Sequence, residues 1–219
     1  MKAITINAEM AKAILEGRKV QFRMAIENEF KYNPDGEYKY SIRNKRLLWE
    51  EFKTLDELVE NFSRYKKGDI LYVREPAKVV YSRDNKFMKF KYLADNKLSK
   101  EIEIPKRFRK HNGIEGYNPK WIALNMGVPN GCIKEMARIF LKIIDIKVES
   151  LQECIGLSLL NEGWDGKLTY KYNRVPKEAE EWFIELWDKT AQKGYKWEDN
   201  PFVFVYDFEV LSENPNAEN

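Results

Sequence analysis

Residues 67–75 are Lys67-Gly68-Asp69-Ile70-Leu71-Tyr72-Val73-Arg74-Glu75. The Lys-Gly-Asp step predicts a turn, and the apolar run that follows predicts a strand over 70–74. This strand ends in two opposite charges, Arg74 and Glu75. Charged side chains that follow the end of a regular element are typical of binding sites, because function concentrates in the connections that a rigid scaffold positions.

A second stretch, residues 13–23, is Ala-Ile-Leu-Glu-Gly-Arg-Lys-Val-Gln-Phe-Arg. Apolar residues at helical spacing predict a helix over 8–17 that ends at Gly17. Three cations follow this glycine within six residues. We interpret the two stretches as parts of one pocket.

Composition limits the class of protein. The chain has 219 residues, of which 43% are hydrophobic and 14% aromatic, enough to bury a substantial core. No apolar run approaches the roughly 20 residues that cross a bilayer, and the first residues lack the apolar region of a signal peptide. Two cysteines without metal spacing and a single histidine disfavour a metal site or a histidine triad. We expect a cytoplasmic protein without membrane contact, metal or cofactor.

Charge is unevenly distributed along the chain. Residues 78–120 hold 12 Lys and Arg against 5 Asp and Glu, whereas residues 149–219 hold 7 against 15. The basic half favours an anionic partner; the alternative is the solvated surface of a lysine-rich protein. Within it, the run Lys106-Arg107-Phe108-Arg109-Lys110 has the composition of a phosphate-binding patch, although a solvated loop explains it equally well.

The order of predicted elements indicates an α+β protein. Few helices and several strands predict a small mixed β-barrel with helices at its rim. We predict a single domain over 1–211 with a long irregular insertion at about 76–131, and a disordered tail over 212–219. The predicted strands are 79–82, 87–93, 137–148 and 202–211, and the predicted helices are 55–64 after the Thr54–Glu57 capping box, 150 to about 162, and 177–192.

Several motifs, in their order along the chain, resemble those of the ASCH domain family of the PUA-like superfamily, and specifically its larger phage and prophage members. The motifs are Gly17-Arg18-Lys19 with Arg23, Gly68-Asp69-Ile70-Leu71-Tyr72-Val73-Arg74-Glu75, Ala137-Arg138-Ile139, Glu162-Gly163, Leu186-Trp187-Asp188 and Asn200-Pro201-Phe202-Val203-Phe204-Val205. The resemblance implies a PUA-like β-barrel whose cleft is lined by the Gly-Arg-Lys segment and the Glu-Gly helix end.

The resemblance also implies function. Members of this family are thought to bind RNA or modified nucleotides, and a small bacterial ASCH enzyme hydrolyses N4-acetylcytidine with a lysine, a threonine and a glutamate. By motif, the lysine corresponds to Lys19 and the glutamate to Glu162. The threonine position holds Phe22, which has no nucleophilic oxygen, so the covalent route of the family cannot use it.

The candidate binding residues are Arg18, Arg23, Tyr72, Arg74, Glu75, Arg138, Lys106, Arg107, Arg109 and Lys110. For Arg74 and Glu75 the functional interpretation is a guanidinium that binds phosphate beside a carboxylate that reads a base. The alternative is a structural ion pair. Lys19 has a similar alternative, a lysine that binds the last carbonyls of a helix, and the alternative for Glu162 is an exposed loop residue.

These observations predict a protein that binds RNA, or a nucleotide or modified base, in a polar cleft lined by Lys19, Arg23, Arg74, Glu75 and Glu162. One alternative is a metal-independent hydrolase, either an amidohydrolase on an acylated nucleoside or a ribonuclease, in which Lys19 and Glu162 activate water. Another is a phage-encoded module that binds a host protein. Single-stranded DNA is an alternative ligand to RNA.

Overall fold

The structure is a computed structural model that describes residues 1–83, 86–108, 110–111, 114–115, 127–128, 131–166 and 176–212. Only the backbone is described at Tyr81, Ser82, Arg107, Lys110, His111, Ile114, Glu115 and Leu157. Beyond its first residue, the tail predicted over 212–219 lies outside the described residues. Within the described ranges, none of the helices has the length and apolar character needed to span a bilayer.

The described chain belongs to the α+β class, as predicted, with many strands and few helices. The helices are α1 (Ala8–Leu15), α2 (Leu55–Phe62), α3 (Leu157–Asn161) and α4 (Lys177–Asp188). The strands are β1 (Lys2–Thr5), β2 (Gln21–Ala25), β3 (Phe30–Tyr32), β4 (Tyr40–Arg43), β5 (Trp49–Phe52), β6 (Ile70–Arg74), β7 (Ala77–Arg83), β8 (Phe87–Tyr92), β9 (Ile102–Glu103), β10 (Lys110–His111), β11 (Ile114–Glu115), β12 (Phe140–Ser150) and β13 (Phe202–Leu211). Single 3₁₀ turns cover Lys106–Phe108, Lys134–Met136, Leu151–Glu153 and Trp197–Asp199.

The chain divides into two compact units. The first unit comprises Met1–Glu16, Ile70–Leu141 and Val210–Asn219, and the second comprises Gly17–Asp69 and Lys142–Glu209. The division falls within β12 and β13, which begin in one unit and end in the other. The prediction of one domain over 1–211 with an insertion stays a prediction.

In the first unit, β1 pairs in parallel with β6. On the other side of β6, the Val73 amide donates to the Ile139 carbonyl at 3.0 Å, just before β12 begins. The antiparallel sheet β7-β8-β9 buries one face in a core that includes Val79, Met88 and Phe90. Because side chains alternate along a strand, the other face of this sheet presents polar residues to solvent.

In the second unit, β13 lies between β12 and β2 and pairs antiparallel with β2. Its residues 203–206 are all buried, so both of its faces contact protein. A core around Leu151, Phe183, Val203 and Val205 joins this sheet to α4. A separate antiparallel sheet, β3-β4-β5, occupies residues 30–52.

Several predicted elements are confirmed. The strands over 70–74 and 202–211 match β6 and β13, and the strands over 79–82 and 87–93 correspond to β7 and β8, which pair antiparallel. The capping box of α2 forms, since the Glu57 amide donates to Thr54 Oγ1 at 3.2 Å. Among the described residues the strands form four sheets, none of which closes into a barrel.

One interpretation of secondary structure is wrong, and two strands were not predicted. The continuous helix predicted from 150 to about 162 is a 3₁₀ turn followed by the short helix α3, because Gly156 between them has a φ of +59° that no helix accommodates. No strand was predicted over 27–46, where the structure forms β3 and β4. A turn over 33–36 joins these two strands, and the Gly36 amide donates to the Asn33 carbonyl at 3.3 Å.

Gly131 is required by a close approach of two backbone segments in the first unit. It has a φ of +79°, and a Cβ atom here would lie 2.4 Å from the Arg74 carbonyl oxygen. Gly194 has a similar φ of +87°, but a Cβ atom added there would have no described atom within 4 Å. Both glycines therefore have a positive φ, but only Gly131 lacks room for a Cβ atom.

We predict that Gly131→Ala lowers the free energy of unfolding by roughly 2–5 kcal/mol, the sum of left-handed backbone strain and overpacking. The matched variant Gly194→Ala carries the strain alone and loses about 1–2 kcal/mol. Urea denaturation of both variants measures the difference. Equal losses would show that the backbone at Arg74 moves freely.

Candidate functional site

Lys19 and Glu162, the predicted catalytic pair, lie in contact in the second unit. Lys19 precedes β2 and Glu162 follows α3, and an antiparallel bridge joins their backbones. The Lys19 Nζ donates to Glu162 Oε2 at 2.6 Å and to the Glu162 carbonyl oxygen at 3.1 Å. Their side chains are 2% and 4% exposed. The structure thus brings the two residues together, while their catalytic role stays a prediction.

Arg23 joins this pair from β2. Its Nη1 donates to Glu162 Oε1, so each oxygen of Glu162 binds a different cation. Its Nη2 and Nε donate to Glu149 Oε1 at 2.7 and 3.1 Å. Lys19, Arg23, Glu149 and Glu162 form what we call the buried ion cluster. Two cations face two carboxylates, so the cluster carries no net charge and leaves neither cation unpaired.

Gln21 and Asp207 extend the cluster across the paired strands β2 and β13, where they are register partners. With its amide oxygen turned toward Arg23, an orientation that satisfies the hydrogen-bond network, Gln21 accepts from Arg23 Nη2 at 3.0 Å and donates to Asp207 Oδ1 at 3.3 Å. Burial raises the pKa of Asp207 above its ordinary value. Polar contacts therefore continue from Arg23 to the neighbouring strand.

Phe22, at the threonine position of the family motif, lies on the other face of β2. Side chains alternate along a strand, and Gln21 and Arg23 face the ion cluster. The Phe22 ring stacks on Tyr206 at 4.8 Å and contacts Tyr65 and Phe208 at 5.9 Å each. A hydroxyl at position 22 would therefore point into an aromatic core, away from Glu162.

Arg18 contacts the turn that carries Glu162. Its Nη1 donates to the Gly163 carbonyl oxygen, and its side chain is half-buried. Gly163 has a φ of +105°, a conformation that glycine adopts readily. The contact connects Arg18, just before β2, to the Glu-Gly turn, and the predicted binding role of Arg18 stays a prediction.

Glu75 and Arg138 form a bidentate ion pair in the first unit. The Arg138 Nε and Nη2 donate to Glu75 Oε1 and Oε2 at 2.8 and 2.9 Å, and Glu75 is 1% exposed. Arg138 also donates to both carboxylate oxygens of Asp95, at 2.8 and 3.0 Å. These hydrogen bonds hold the pKa of Asp95 below its ordinary value. The guanidinium lies 3.8 Å from the centroid of the Tyr92 ring, so Arg138 is fully engaged.

Arg74 differs from the other predicted arginines whose side chains the structure describes, Arg18, Arg23 and Arg138. Within the described part of the chain, its side chain forms no hydrogen bond or ion pair, and its Nε is buried. Tyr72 lies two residues earlier on the same face of β6 and is half-buried. Their register partners on β1 are Thr5 and Ala3. The Arg74 guanidinium therefore has no described hydrogen-bond partner, and it lies on the same strand face as the Tyr72 ring, whose register partner is the small residue Ala3.

The five residues predicted to line one cleft fall into both units. Lys19, Arg23 and Glu162 belong to the second unit, and Arg74 and Glu75 to the first. Whether they line one cleft stays a prediction.

The predicted basic patch is only partly described. Lys106 is exposed at the start of a 3₁₀ turn. The backbones of Arg107 and Lys110 are described, but their side chains are not, and Arg109 lies outside the described residues. The role of this patch therefore stays a prediction.

A cavity of about 240 Å³ lies beside the ion cluster in the second unit. Its lining includes Arg23, Trp187, Thr190 and Tyr195. As far as the described residues define it, the lining contains neither Lys19 nor Glu162. The Arg23 side chain is only 1% exposed, so the cavity offers a ligand neither its guanidinium nor the predicted catalytic lysine.

The two cysteines are buried thiols. Burial raises the pKa of Cys132 to about 12 and that of Cys154 to about 11. Both side chains are therefore protonated at neutral pH, and the thiolate that a cysteine nucleophile requires is not formed. Nor do the described residues place three or more His, Cys, Asp or Glu side chains where they could hold a metal ion.

Two of the residues in these clusters were missed from the sequence. Glu149 lies near the end of β12, and recognising it as a partner of Arg23 requires the contact between distant strands. Asp95 follows β8 in a turn, where the Lys97 amide donates to its Oδ1 at 3.0 Å. A turn signal was present in Asp95-Asn96, but nothing local connects it to Arg138.

Comparisons of this chain with protein-family models, with curated proteins and with solved structures find no match.

We predict that Glu162→Gln lowers the free energy of unfolding by about 3–5 kcal/mol, because it leaves two buried cations without their shared counter-charge. Urea denaturation at neutral pH, followed by tryptophan fluorescence, measures the loss, and an unchanged m-value shows that the denatured state is unaffected.

The matched control is Glu185→Gln on α4. Glu185 pairs with Lys189 at 3.2 Å, but both side chains are largely exposed. This substitution is expected to cost no more than about 0.5 kcal/mol. Equal and small effects of the two substitutions would contradict the importance of the ion cluster.

Proposed function

We propose that this protein is an ASCH-like RNA- or nucleotide-binding protein in which Arg74 and Tyr72 contact the ligand. The observation that carries the proposal is the unpaired Arg74 guanidinium with its buried Nε. Its two terminal nitrogens have no partner among the described residues and are not among the buried unpaired atoms, so they can donate to an acceptor from a ligand. The planar fork of a guanidinium matches the oxygens of a phosphate group.

Tyr72 supports a nucleotide rather than a simple anion. Its ring shares a face of β6 with Arg74 and is partly accessible. An unpaired base stacks on such a ring, and this kind of stacking contributes about 1–3 kcal/mol per base. Ala3, the register partner of Tyr72, has a small side chain, and Thr5 beside Arg74 adds a hydroxyl. Phosphate and base contacts would then lie side by side.

The paired residues take structural roles in this proposal. Glu75 was expected to read a base and Glu162 to line the cleft, but each already accepts hydrogen bonds on both carboxylate oxygens. Lys19, Arg23 and Arg138 are likewise engaged with carboxylates. A PUA-like fold remains part of the proposal on the strength of the sequence motifs, and a cytoplasmic location on the strength of the composition.

We expect Arg74→Gln to weaken binding of a labelled single-stranded RNA by about 10- to 100-fold, because a charge-assisted hydrogen bond contributes about 1.5–3 kcal/mol. Fluorescence anisotropy at low salt measures the affinity, and a denaturing gel of the same samples shows whether the RNA stays intact. A DNA oligonucleotide of the same sequence shows whether the protein prefers RNA to DNA.

The control for this test is Arg43→Gln. Arg43 is partly exposed and pairs with Glu29 at 2.7 Å on the β3-β4-β5 sheet. This variant should bind RNA like the native protein. Arg74→Gln binding with native affinity would overturn the proposal, and shortened RNA in the native sample would replace it with a nuclease.

The amidohydrolase alternative has one observation in its favour, the 2.6 Å contact between Lys19 Nζ and Glu162 Oε2. Against it, the amine is buried and donates to two oxygens of Glu162, and Phe22 supplies no hydroxyl. A substrate would have to displace Glu162 to reach the amine.

We therefore predict that the native protein does not hydrolyse N4-acetylcytidine, as measured by chromatography of the nucleoside after prolonged incubation. Lys19→Arg keeps the positive charge of the cluster and serves as the variant that separates chemistry from folding. Native turnover that Lys19→Arg abolishes, with its circular dichroism spectrum unchanged, would establish the hydrolase instead.

A further inference from the structure

Residues 70–80 alternate between buried and accessible side chains without interruption. Leu71, Val73, Glu75, Ala77 and Val79 are buried, and the residues between them are accessible. The accessible set includes Tyr72, Arg74 and Lys78. Four residues of extended chain span at most about 14 Å, so Lys78 lies within that distance of Arg74.

Lys78 on β7 has Lys91 on β8 as its direct register partner. The next pair inward, Val79 and Phe90, is buried in the core. Both lysines therefore lie on the solvent face of the sheet. Side chains of directly opposed residues have Cβ atoms about 5 Å apart, and like charges in this position destabilise the pairing.

No carboxylate among the described residues compensates the lysine pair. Neither Lys78 nor Lys91 forms an ion pair within the described part of the chain. Nearby acidic residues are already engaged: Glu75 and Asp95 bind Arg138, and Glu101 binds Arg83 at 3.1 Å. The sheet therefore keeps two adjacent positive charges whose repulsion an anion would relieve.

We propose that Lys78 and Lys91 continue the phosphate contact made by Arg74, so that the ligand is a single-stranded polynucleotide rather than a mononucleotide. This inference rests on the proposed function and specifies its ligand. With Lys78 no more than about 14 Å from Arg74 along the chain and Lys91 directly opposite Lys78, the three cations are close enough to contact successive phosphates of one strand. Stacking on Tyr72, which lies two residues before Arg74, requires an unpaired base. This requirement favours a single strand over a duplex.

The salt dependence of binding tests the proposal. Lys78→Gln and Lys91→Gln are titrated with a labelled oligouridylate of about twelve nucleotides, a length within the site sizes of single-strand binders. Each should make the negative slope of log K against log salt shallower by about 0.7, the value for one phosphate contact to a single strand. The matched control is Lys97→Gln, an exposed lysine of the same unit that lies 3.8 Å from Asp95. Its slope should equal that of the native protein.

A charge reversal gives a second, independent result. Lys78→Glu places opposite charges across the β7–β8 pair, so the melting temperature should rise while affinity for the oligouridylate falls. If Lys78→Glu raises the melting temperature but leaves the RNA affinity unchanged, the inference is overturned, because Lys78 would then not contact the RNA.

The outcomes separate this inference from the proposed function. If Arg74→Gln weakens RNA binding while Lys78→Gln and Lys91→Gln leave both affinity and slope unchanged, the further inference is overturned and the proposed function stands. If the native chain binds no oligouridylate even at low salt but binds a free nucleotide through Arg74, the further inference is overturned and the proposed function stands; if it binds neither, both are overturned. Reduced slopes in both lysine variants, with the Lys97→Gln control unchanged, support both.

Discussion

Glu162 accepts Lys19 on one carboxylate oxygen and Arg23 on the other, and the second unit depends on this double contact. Unpaired charges in a protein interior cost several kcal/mol each, so the two cations remain buried only because carboxylates neutralise them. Glu149 supplies the second negative charge through Arg23. The contacts tie β2, β12 and the turn after α3 to one another. They also withhold Lys19 from any ligand, because its amine already donates to two oxygens.

The first unit contains two arginines in opposite electrostatic states. Arg138 donates to both oxygens of Glu75 and of Asp95, and it covers the Tyr92 ring. Arg74 is half-buried and unpaired in the described part of the chain. A charge that the fold does not satisfy is available to a ligand, whereas a satisfied one mainly stabilises the fold. This distinction separates binding residues from structural ones in a set that one motif comparison had grouped together.

Local signals predicted local structure well. The turn and apolar run before Arg74 gave the bounds of β6, and the alternation over 202–211 gave those of β13. The predictions failed where tertiary structure overrode a local sequence rule, or where no local rule applied. Gly156 interrupts the helix predicted from position 150, and the polar strands β3 and β4 are stabilised by pairing that composition does not reveal. Residues 19 and 162 were paired only through a motif, and Glu149 was missed because strand register is a tertiary property.

The central claim is that Arg74 is the cation left for the ligand. The Nε–Hε resonances of arginine in ¹⁵N-labelled protein test it most directly, with Arg74→Gln used to assign the Arg74 signal. On addition of a short single-stranded RNA, the Arg74 resonance should shift, while those of Arg23 and Arg138 stay in place because their carboxylate partners are retained. Movement of the Arg23 or Arg138 signal with a stationary Arg74 signal would contradict the account.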